Sequence, residues 1–154
     1  MKKIFILMFT LVIGLMAFAS DVENIKDFFN SYIESANSYS NNYFSYYSPH
    51  AIIKRVVIKK DGSTETVIVP LIEYKKHSAL SVKLGKLRKY KNTYTDIDIK
   101  PEGEDYRINA MRKPSTSAYS LPVSFLIGKD SSGHLKIKEE SMHTKVQTFL
   151  RKNR

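Results

Sequence analysis

The last third of the chain alternates between polar and apolar residues, and this pattern constrains the fold more than any other feature of the sequence. From residue 90 onward, the segments NTYTDIDIK, EDYRINAMRK, LPVSFLIGK and HLKIKEE each alternate with a period of two residues. Side chains two positions apart on a strand lie on the same face, so each segment predicts a strand with one buried face. The turn residues in PEGE and DSSG keep two of the connections short. Four consecutive strands with short connections predict an antiparallel sheet.

The residues after position 20 instead repeat their apolar side chains at three- and four-residue steps. This spacing predicts an amphipathic helix from about Val22 to Asn37, with Ser20 or Asp21 as its N-cap. The segment SYSNN weakens the helix, and the following YFSYYSP predicts a short second helix that ends before Pro49. The N-terminal part therefore predicts a helical layer.

A hairpin and a further helix lie between these two regions. AIIKRVVIKK and TETVIVP flank DGS, in which glycine can adopt the positive φ of a tight turn, and this predicts a β-hairpin. Pro70 suits the first turn of a helix. The apolar stripe of that helix is broken and consists of Leu71, Tyr74, Leu80, Leu84 and Leu87. The C-terminal segment SMHTKVQTFLRKNR again has apolar residues at helical spacing. We find no internal repeat and no linker, so the sequence predicts one domain.

An uncharged apolar run from Ile4 to Ala19 follows two lysines near the N-terminus. Small residues at Ala17 and Ala19 complete the pattern of a secretory signal peptide over residues 1–19. The alternative, a retained membrane anchor, fits less well because the run is shorter than the ~20 residues that usually span a bilayer. We therefore predict an exported protein, periplasmic or extracellular, whose domain covers residues 20–154 and which keeps no stable membrane anchor after cleavage.

The composition excludes some classes of protein and leaves others open. The chain has no cysteine, so it is neither a lipoprotein nor a disulfide scaffold. Its formal net charge of +10 attracts anionic lipids, envelope polymers or nucleic acid, although a basic balance also serves solubility alone. The stretch from Tyr74 to Lys91 carries seven Lys or Arg residues. Its lysines do not line one face in the sequence pattern, so it predicts a solvated helix face and no nucleic-acid partner.

The order of helix, short helix, hairpin, helix and four strands resembles the NTF2-like superfamily. The resemblance also rests on the local features KKDGSTETV, PLIEYKK, YTDIDI and LIGKDSSGHLKIKEE. It covers nearly all of the mature chain and implies an exported bacterial member with an α+β fold of the ketosteroid-isomerase-like type. In that fold, N-terminal helices pack on a curved antiparallel sheet of about six strands and form a cone with a pocket. A cystatin-like sheet without the cone, or another α+β sandwich, is the alternative.

The resemblance does not assign a function. The superfamily includes isomerases, dehydratases, epoxide hydrolases, transport factors and pocket domains without a known reaction. Its enzymes place an aspartate or an Asp/His pair in the cone, with tyrosines as oxyanion donors. No set of positions in this sequence matches such a constellation, so the catalytic residues stay unknown and the sequence leaves open whether the protein is an enzyme.

One carboxylate lies on the apolar side of a predicted strand. In HLKIKEE, Glu139 is in step with Leu135 and Ile137, and we expect all three to point inward. The same rule predicts the inward residues of the other strands as Thr95, Ile97 and Ile99, then Tyr106, Ile108, Ala110 and Arg112, then Leu121, Val123, Phe125 and Ile127. A carboxylate at the rim or floor of an apolar cup indicates a candidate pocket.

A buried carboxylate requires a basic or hydrogen-bonding partner. Arg112 is the first candidate for this partner, and Arg55, in phase with Ile53 and Val57, is the second. Tyrosine hydroxyls from the first helices can reach the same space. The candidate ligand-binding residues are Glu139, Arg112, Arg55, Tyr32, Tyr43, Tyr47, Tyr106 and Phe125. The simpler interpretation is a solvated glutamate at a strand end or a structural ion pair, because perturbed ionisable groups mark sites only statistically.

Other chemistries have no support in the sequence. The histidines are His50, His77, His134 and His143. None stands at metal-binding spacing from another ligand, so we predict no metal site and no cofactor. Neither a G-x-S-x-G elbow nor a glycine-rich phosphate loop occurs.

Three functions remain compatible with the sequence. The first is a non-catalytic pocket or interaction module that binds a small apolar or amphipathic ligand in the cell envelope. The second is an isomerase, dehydratase or hydrolase with Glu139 as general base and Tyr32 or Tyr47 as a hydrogen-bond donor. The third is a basic protein that binds anionic envelope polymers or lipids through the stretch from Tyr74 to Lys91. The resemblance is also compatible with a homodimer, which the sequence does not decide.

Overall fold

A computed structural model describes the backbone of residues 2–153 and the side chains of residues 20–40, 42–78 and 82–150. The predicted signal peptide, residues 1–19, lies outside the described side chains. The described elements are α1 (Lys2–Asn37), a first 3₁₀ helix (Asn41–Tyr46), β1 (Tyr47–Ile58), β2 (Thr64–Val69), α2 (Leu71–Leu87), β3 (Asn92–Glu102), β4 (Asp105–Pro114), β5 (Leu121–Lys129), β6 (Leu135–Thr144) and a C-terminal 3₁₀ helix (Gln147–Asn153).

The strands form one six-stranded sheet in the order β2-β1-β6-β5-β4-β3. The chain crosses from the β1–β2 hairpin through α2 to the far edge, and β3 to β6 then return as a meander. This route brings β6 beside β1 in the parallel direction, whereas every other neighbouring pair is antiparallel. The predicted α+β architecture, with helices on a six-stranded sheet, is therefore confirmed, but the sheet is mixed and not wholly antiparallel as the sequence predicted.

The hairpin forms where the sequence predicts it. Gly62 has a φ of 85° in the DGS turn, which is the left-handed region that glycine adopts without steric cost. Lys59 and Ser63 close the turn with a backbone hydrogen bond of 2.8 Å. Pro70 occupies the N-cap of α2. The turn chemistry thus fixes the register of β1 against β2.

Several element ends differ from the sequence prediction. Ser20 and Asp21 lie inside α1 and not at its N-cap, because the helix begins upstream. The second helix is a 3₁₀ helix that ends at Tyr46, so Pro49 lies within β1. Strand β6 continues to Thr144 because residue 142 still pairs with β5, and only then does the chain form the C-terminal 3₁₀ helix.

A core rich in aromatic residues fills the space between the helices and the sheet. The Phe29 ring lies 5.1 Å from that of Phe125, and the Tyr32 ring lies 5.6 Å from it. The buried cluster consists of Ile25, Phe29, Tyr32, Tyr43, Tyr47, Ala51, Ile53, Ile108, Ala110, Val123, Phe125, Ile127 and Ile137. Burial of one large side chain of this kind contributes roughly 1.5–3 kcal/mol. One face of α1 is therefore fixed on the centre of the sheet.

A β-bulge in β3 changes which of its residues face this core. Thr95 pairs with Met111 and Asp98 pairs with Asn109, so two residues, Asp96 and Ile97, lie opposite one residue of β4. The backbone of Asp96 has a φ of 53°. Thr95 and Ile97 are exposed as a result, and the prediction that they point inward is wrong. The bulge turns Tyr94 toward the core instead, where its ring packs on that of Phe29.

Candidate functional site

A second bulge, in β6, places Glu140 inside the protein. Ile137 pairs with Ile127 of β5, and Glu139 pairs with the preceding Leu126, so Lys138 has no partner on β5. The extra residue reverses the alternation of side chains beyond it. Ile137 and Glu140 therefore both point into the core, and each is 0% exposed.

The Glu140 carboxylate contacts two side chains of β1, one of which is in turn hydrogen-bonded to α1. One carboxylate oxygen forms an ion pair with the Arg55 guanidinium at 2.8 Å. The other accepts a hydrogen bond from the Tyr47 hydroxyl, which also shares a hydrogen bond of 2.9 Å with the Tyr32 hydroxyl. We refer to Tyr32, Tyr47, Arg55 and Glu140 as the Glu140 network. All four side chains are buried, so the charges are compensated within the protein and not by water.

The electrostatics of the network keep its tyrosines protonated. Burial, followed by the Glu140 charge, raises the pKa of Tyr32 and of Tyr47 well above the ordinary value. The same two causes raise the pKa of Tyr74, which lies beside Arg55, to about 12. Burial alone would lower the pKa of Arg55, but the Glu140 charge outweighs it and raises that pKa. At neutral pH these tyrosines are hydrogen-bond donors and not bases.

Beside the network, an open cleft of about 730 Å³ lies between β2, α2 and the C-terminal 3₁₀ helix. We call it the edge cleft. It is lined by Arg55, Val67, Ile68, Val69, Pro70, Glu73, Tyr74, His77, Ser78, Thr148 and Phe149. The Arg55 guanidinium lies 5.1 Å from the centre of the Tyr74 ring and is the one member of the network that lines the cleft. A molecule in the edge cleft would therefore meet Tyr74 and the edge of Arg55, while Glu140 stays covered.

Glu139 lies on the opposite face of the sheet from the core, so the prediction that it points inward is wrong. Its carboxylate contacts the Lys54 ammonium at 2.5 Å and the Arg107 guanidinium at 2.9 Å. Partial burial would raise the pKa of Glu139, but these two hydrogen bonds outweigh it and hold the pKa below its ordinary value. Glu139 thus belongs to a charge cluster on the outer face, and its expected partner Arg112 is not part of that cluster.

Arg112 points inward as predicted but has other partners. Its guanidinium donates to the Asn92 side chain at 2.9 Å and to the Tyr90 hydroxyl at 3.2 Å. It therefore joins β4 to the start of β3, apart from the Glu140 network.

The remaining predicted site residues are distributed over three places. Tyr43 lies in a groove on the other side of α2, and Tyr106 lines a separate cleft with Ile25 and Leu135. Phe125 is 0% exposed in the centre of the core. Of the predicted set, the structure brings Arg55, Tyr32 and Tyr47 together around Glu140, and Phe125 packs on Tyr32 from the core.

The sequence prediction missed Glu140 and Tyr74. Arg55 offered a signal for the former, because an arginine between two buried positions of β1 requires a carboxylate inside the protein. HLKIKEE contains two adjacent carboxylates, Glu139 and Glu140, that could be this partner of Arg55. The position of the bulge determines which of the two points inward. Over the described side chains, no group of three His, Cys, Asp or Glu residues could hold a metal ion.

The chain matches no protein-family model and no curated protein sequence. Solved structures do resemble it. An NTF2-like protein of unknown function from Pseudomonas putida KT2440 has a TM-score of 0.63 at 6% identity, over 81% of this chain and 87% of that chain. A proposed dehydratase of the NTF2-like family from Streptomyces avermitilis has a TM-score of 0.60 at 12% identity, over 81% and 96%. A proposed ketosteroid isomerase from Shewanella frigidimarina has a TM-score of 0.55 at 13% identity, over 75% and 91%. At identities this low, the similarity confirms the predicted NTF2-like fold but does not transfer an activity to this chain.

Proposed function

We propose that this protein is a non-catalytic binding module whose edge cleft takes a small apolar or amphipathic molecule. The observation that carries the proposal is the cleft itself, because its size is that of a ligand site. Its walls are aliphatic and aromatic at Val67, Val69 and Phe149. Its polar groups come from Arg55, from the N-terminal half of α2 and from Thr148 of the C-terminal 3₁₀ helix. This combination suits a molecule with an apolar body and one polar end.

The environment of Glu140 argues for binding without a reaction. A general base must reach the proton that it removes. Glu140 is 0% exposed; one of its oxygens accepts a hydrogen bond from Tyr47, and the other faces the Arg55 guanidinium in an ion pair. Its role in the proposal is to fix the position of Arg55 at the floor of the cleft.

Uptake of an amphipathic fluorescent probe tests the proposal. Anilinonaphthalene sulfonate is titrated into the protein and into Val69→Trp, in which an indole fills part of the edge cleft. Val146→Trp, at a position that is 51% exposed and outside the cleft, is the matched control. We expect saturable binding to the original protein and to the control, and at least about tenfold weaker binding to Val69→Trp, since tenfold corresponds to only about 1.4 kcal/mol. Equal binding by both tryptophan variants would exclude the edge cleft as the site.

We also propose that the protein acts after export, with residues 1–19 removed. The basis is the N-terminal sequence pattern alone. None of the helices, over the described residues, combines the length and apolar character that crossing a bilayer requires. Intact-mass measurement of the protein from fractionated bacterial cells tests the proposal, and a chain starting at Ser20 outside the cytoplasm is the expected result. An intact N-terminus in the cytoplasmic fraction would contradict it.

A further inference from the structure

The solvent side of α2 carries large apolar side chains that no described side chain covers. Ile72 is 79% exposed, Leu84 is 54% exposed and Leu87 is 81% exposed. The core-facing side of the same helix is occupied by Leu71 and Tyr74, which pack against the core cluster. Single exposed apolar residues are ordinary, but α2 exposes three, one in its first turn and two in its last.

Cations accompany these apolar side chains. Lys75, Lys83 and Lys86 line one groove between α2 and the first 3₁₀ helix, whose floor includes the rings of Tyr43 and Phe44. The sequence pattern had indicated that these lysines do not share a face, and the structure shows three of them on one groove. The ion pairs shown among the described side chains do not include these three lysines. We call the outer surface of α2, with this groove, the α2 ridge. The described lining of the groove thus has three cationic side chains and no acidic one.

We propose that the α2 ridge docks the protein on an anionic lipid bilayer. Lysines near an anionic surface are attracted to lipid phosphates, and exposed Ile72 and Leu87 can enter the boundary between headgroups and acyl chains. The aliphatic stems of the lysines can follow them while the ammonium groups stay among the headgroups.

The apolar residues distinguish a bilayer from a soluble polyanion. A polyanion would use the lysines and gain nothing from Ile72 or Leu87, whereas a bilayer uses both kinds of side chain. The proposal does not rest on the edge cleft, which lies on the other side of α2.

Vesicle co-sedimentation tests this proposal. The protein is used as recovered from the expressing cells, with its N-terminus defined by intact mass. It is mixed with vesicles of phosphatidylcholine alone and with vesicles containing phosphatidylglycerol as well. The variants are Lys83→Gln/Lys86→Gln and Leu87→Ser on the ridge. Lys113→Gln/Lys129→Gln, on exposed positions of the sheet, removes the same charge elsewhere. All variants share one N-terminus, so differences between them report on the ridge.

We expect binding that depends on phosphatidylglycerol and weakens with added salt. The ridge lysine variant is expected to lose on the order of tenfold or more in partitioning, and the control variant much less. Leu87→Ser is also expected to weaken binding. Equal binding to both vesicle types would overturn the proposal, as would equal losses in the ridge and control lysine variants. The proposal would also be overturned if the protein bound heparin as strongly as vesicles and Leu87→Ser left heparin binding unchanged. That result would assign the ridge to a polyanion.

Discussion

At the scale of single residues, the two adjacent glutamates of β6 have opposite environments. Glu140 is buried beside Arg55, whereas the Glu139 side chain is 17% exposed on the outer face beside Lys54 and Arg107. Removal of one partner from a buried ion pair leaves the other charge uncompensated, which is far more costly than the loss of an ion pair that water still reaches.

This contrast predicts unequal effects of one conservative change. Glu140→Gln is expected to lower the free energy of unfolding by about 3–5 kcal/mol, because Arg55 stays charged and buried. Glu139→Gln, the matched control, is expected to cost about 1 kcal/mol or less. Urea unfolding followed by circular dichroism measures both values. A larger cost for Glu139→Gln would mean that the alternation in β6 continues without the bulge.

The buried tyrosines predict how stability depends on alkaline pH. Their folded-state pKa values are raised, to about 12 for Tyr74 and well above the ordinary value for Tyr32 and Tyr47, while in the unfolded chain the value is about 10. Below pH ~10 both states hold the proton and stability is unaffected. Above it the unfolded state releases protons first, so stability falls as the pH rises, by about 1.4 kcal/mol per pH unit for each such tyrosine.

Denaturant titrations between about pH 9 and pH 11 test this dependence. Tyr32→Phe is expected to show a shallower loss of stability with pH than the original protein. Tyr119→Phe, which removes the hydroxyl of a side chain that is 40% exposed, serves as the control and should keep the original slope. An unchanged slope in Tyr32→Phe would show that this hydroxyl ionises equally in the folded and unfolded states.

At the scale of elements, the period-two segments predicted the strands, and the DGS turn predicted the hairpin. What they did not predict is where an extra residue interrupts the alternation. The bulges at Asp96–Ile97 and Lys138 contain no glycine or proline that would mark them in the sequence. Tertiary packing determines where these bulges form. The same limit applies to α2, where helical spacing gave Leu84 and Leu87 the appearance of core residues. Residue propensity and apolar spacing predict whether a segment is a helix or a strand. The elements packed against it determine which of its faces is buried.

The bulge in β6 can be tested by deletion. Without Lys138, β6 can pair regularly with β5, and both Ile137 and Glu140 still point inward. The expected loss is therefore small and reflects the half-exposed ion pair between Lys138 and Asp105, which has a distance of 2.7 Å. Deletion of Ser141, in the regular part of the strand, would instead rotate every later residue to the other face.

Urea midpoints of the two deletion variants provide the measurement. The Lys138 deletion is expected to fold with a modestly lowered midpoint. The Ser141 deletion is expected to unfold at a much lower urea concentration or to fail to fold, because Met142 and Thr144 leave their places. If both deletions lowered the urea midpoint equally, the strand would require the unpaired residue Lys138.

At the scale of the whole molecule, the parallel pairing of β1 with β6 brings together Arg55 and Glu140, which are distant in the sequence. Among the described side chains, each forms its ion pair with the other and not with a charge of its own hairpin or meander. The site is therefore a product of topology, since it exists only when the meander returns to the first hairpin. The sequence could supply Arg55, Tyr32 and Tyr47 as candidates, but their common partner depended on that final strand pairing.

The net charge leads to a prediction for the molecule as a whole. At +10, repulsion among surface cations opposes the compact state, and salt screens it over a distance of about 10 Å at 0.1 M. Buried pairs such as Arg55–Glu140 are screened much less. Addition of sodium chloride at neutral pH is therefore expected to raise the urea midpoint. Lys113→Gln/Lys129→Gln, with two fewer cations, should gain less from the same salt, because less repulsion remains to be screened. A fall in the midpoint with salt would mean that attractive surface pairs, such as those of Glu139, outweigh the repulsion of the excess lysines and arginines.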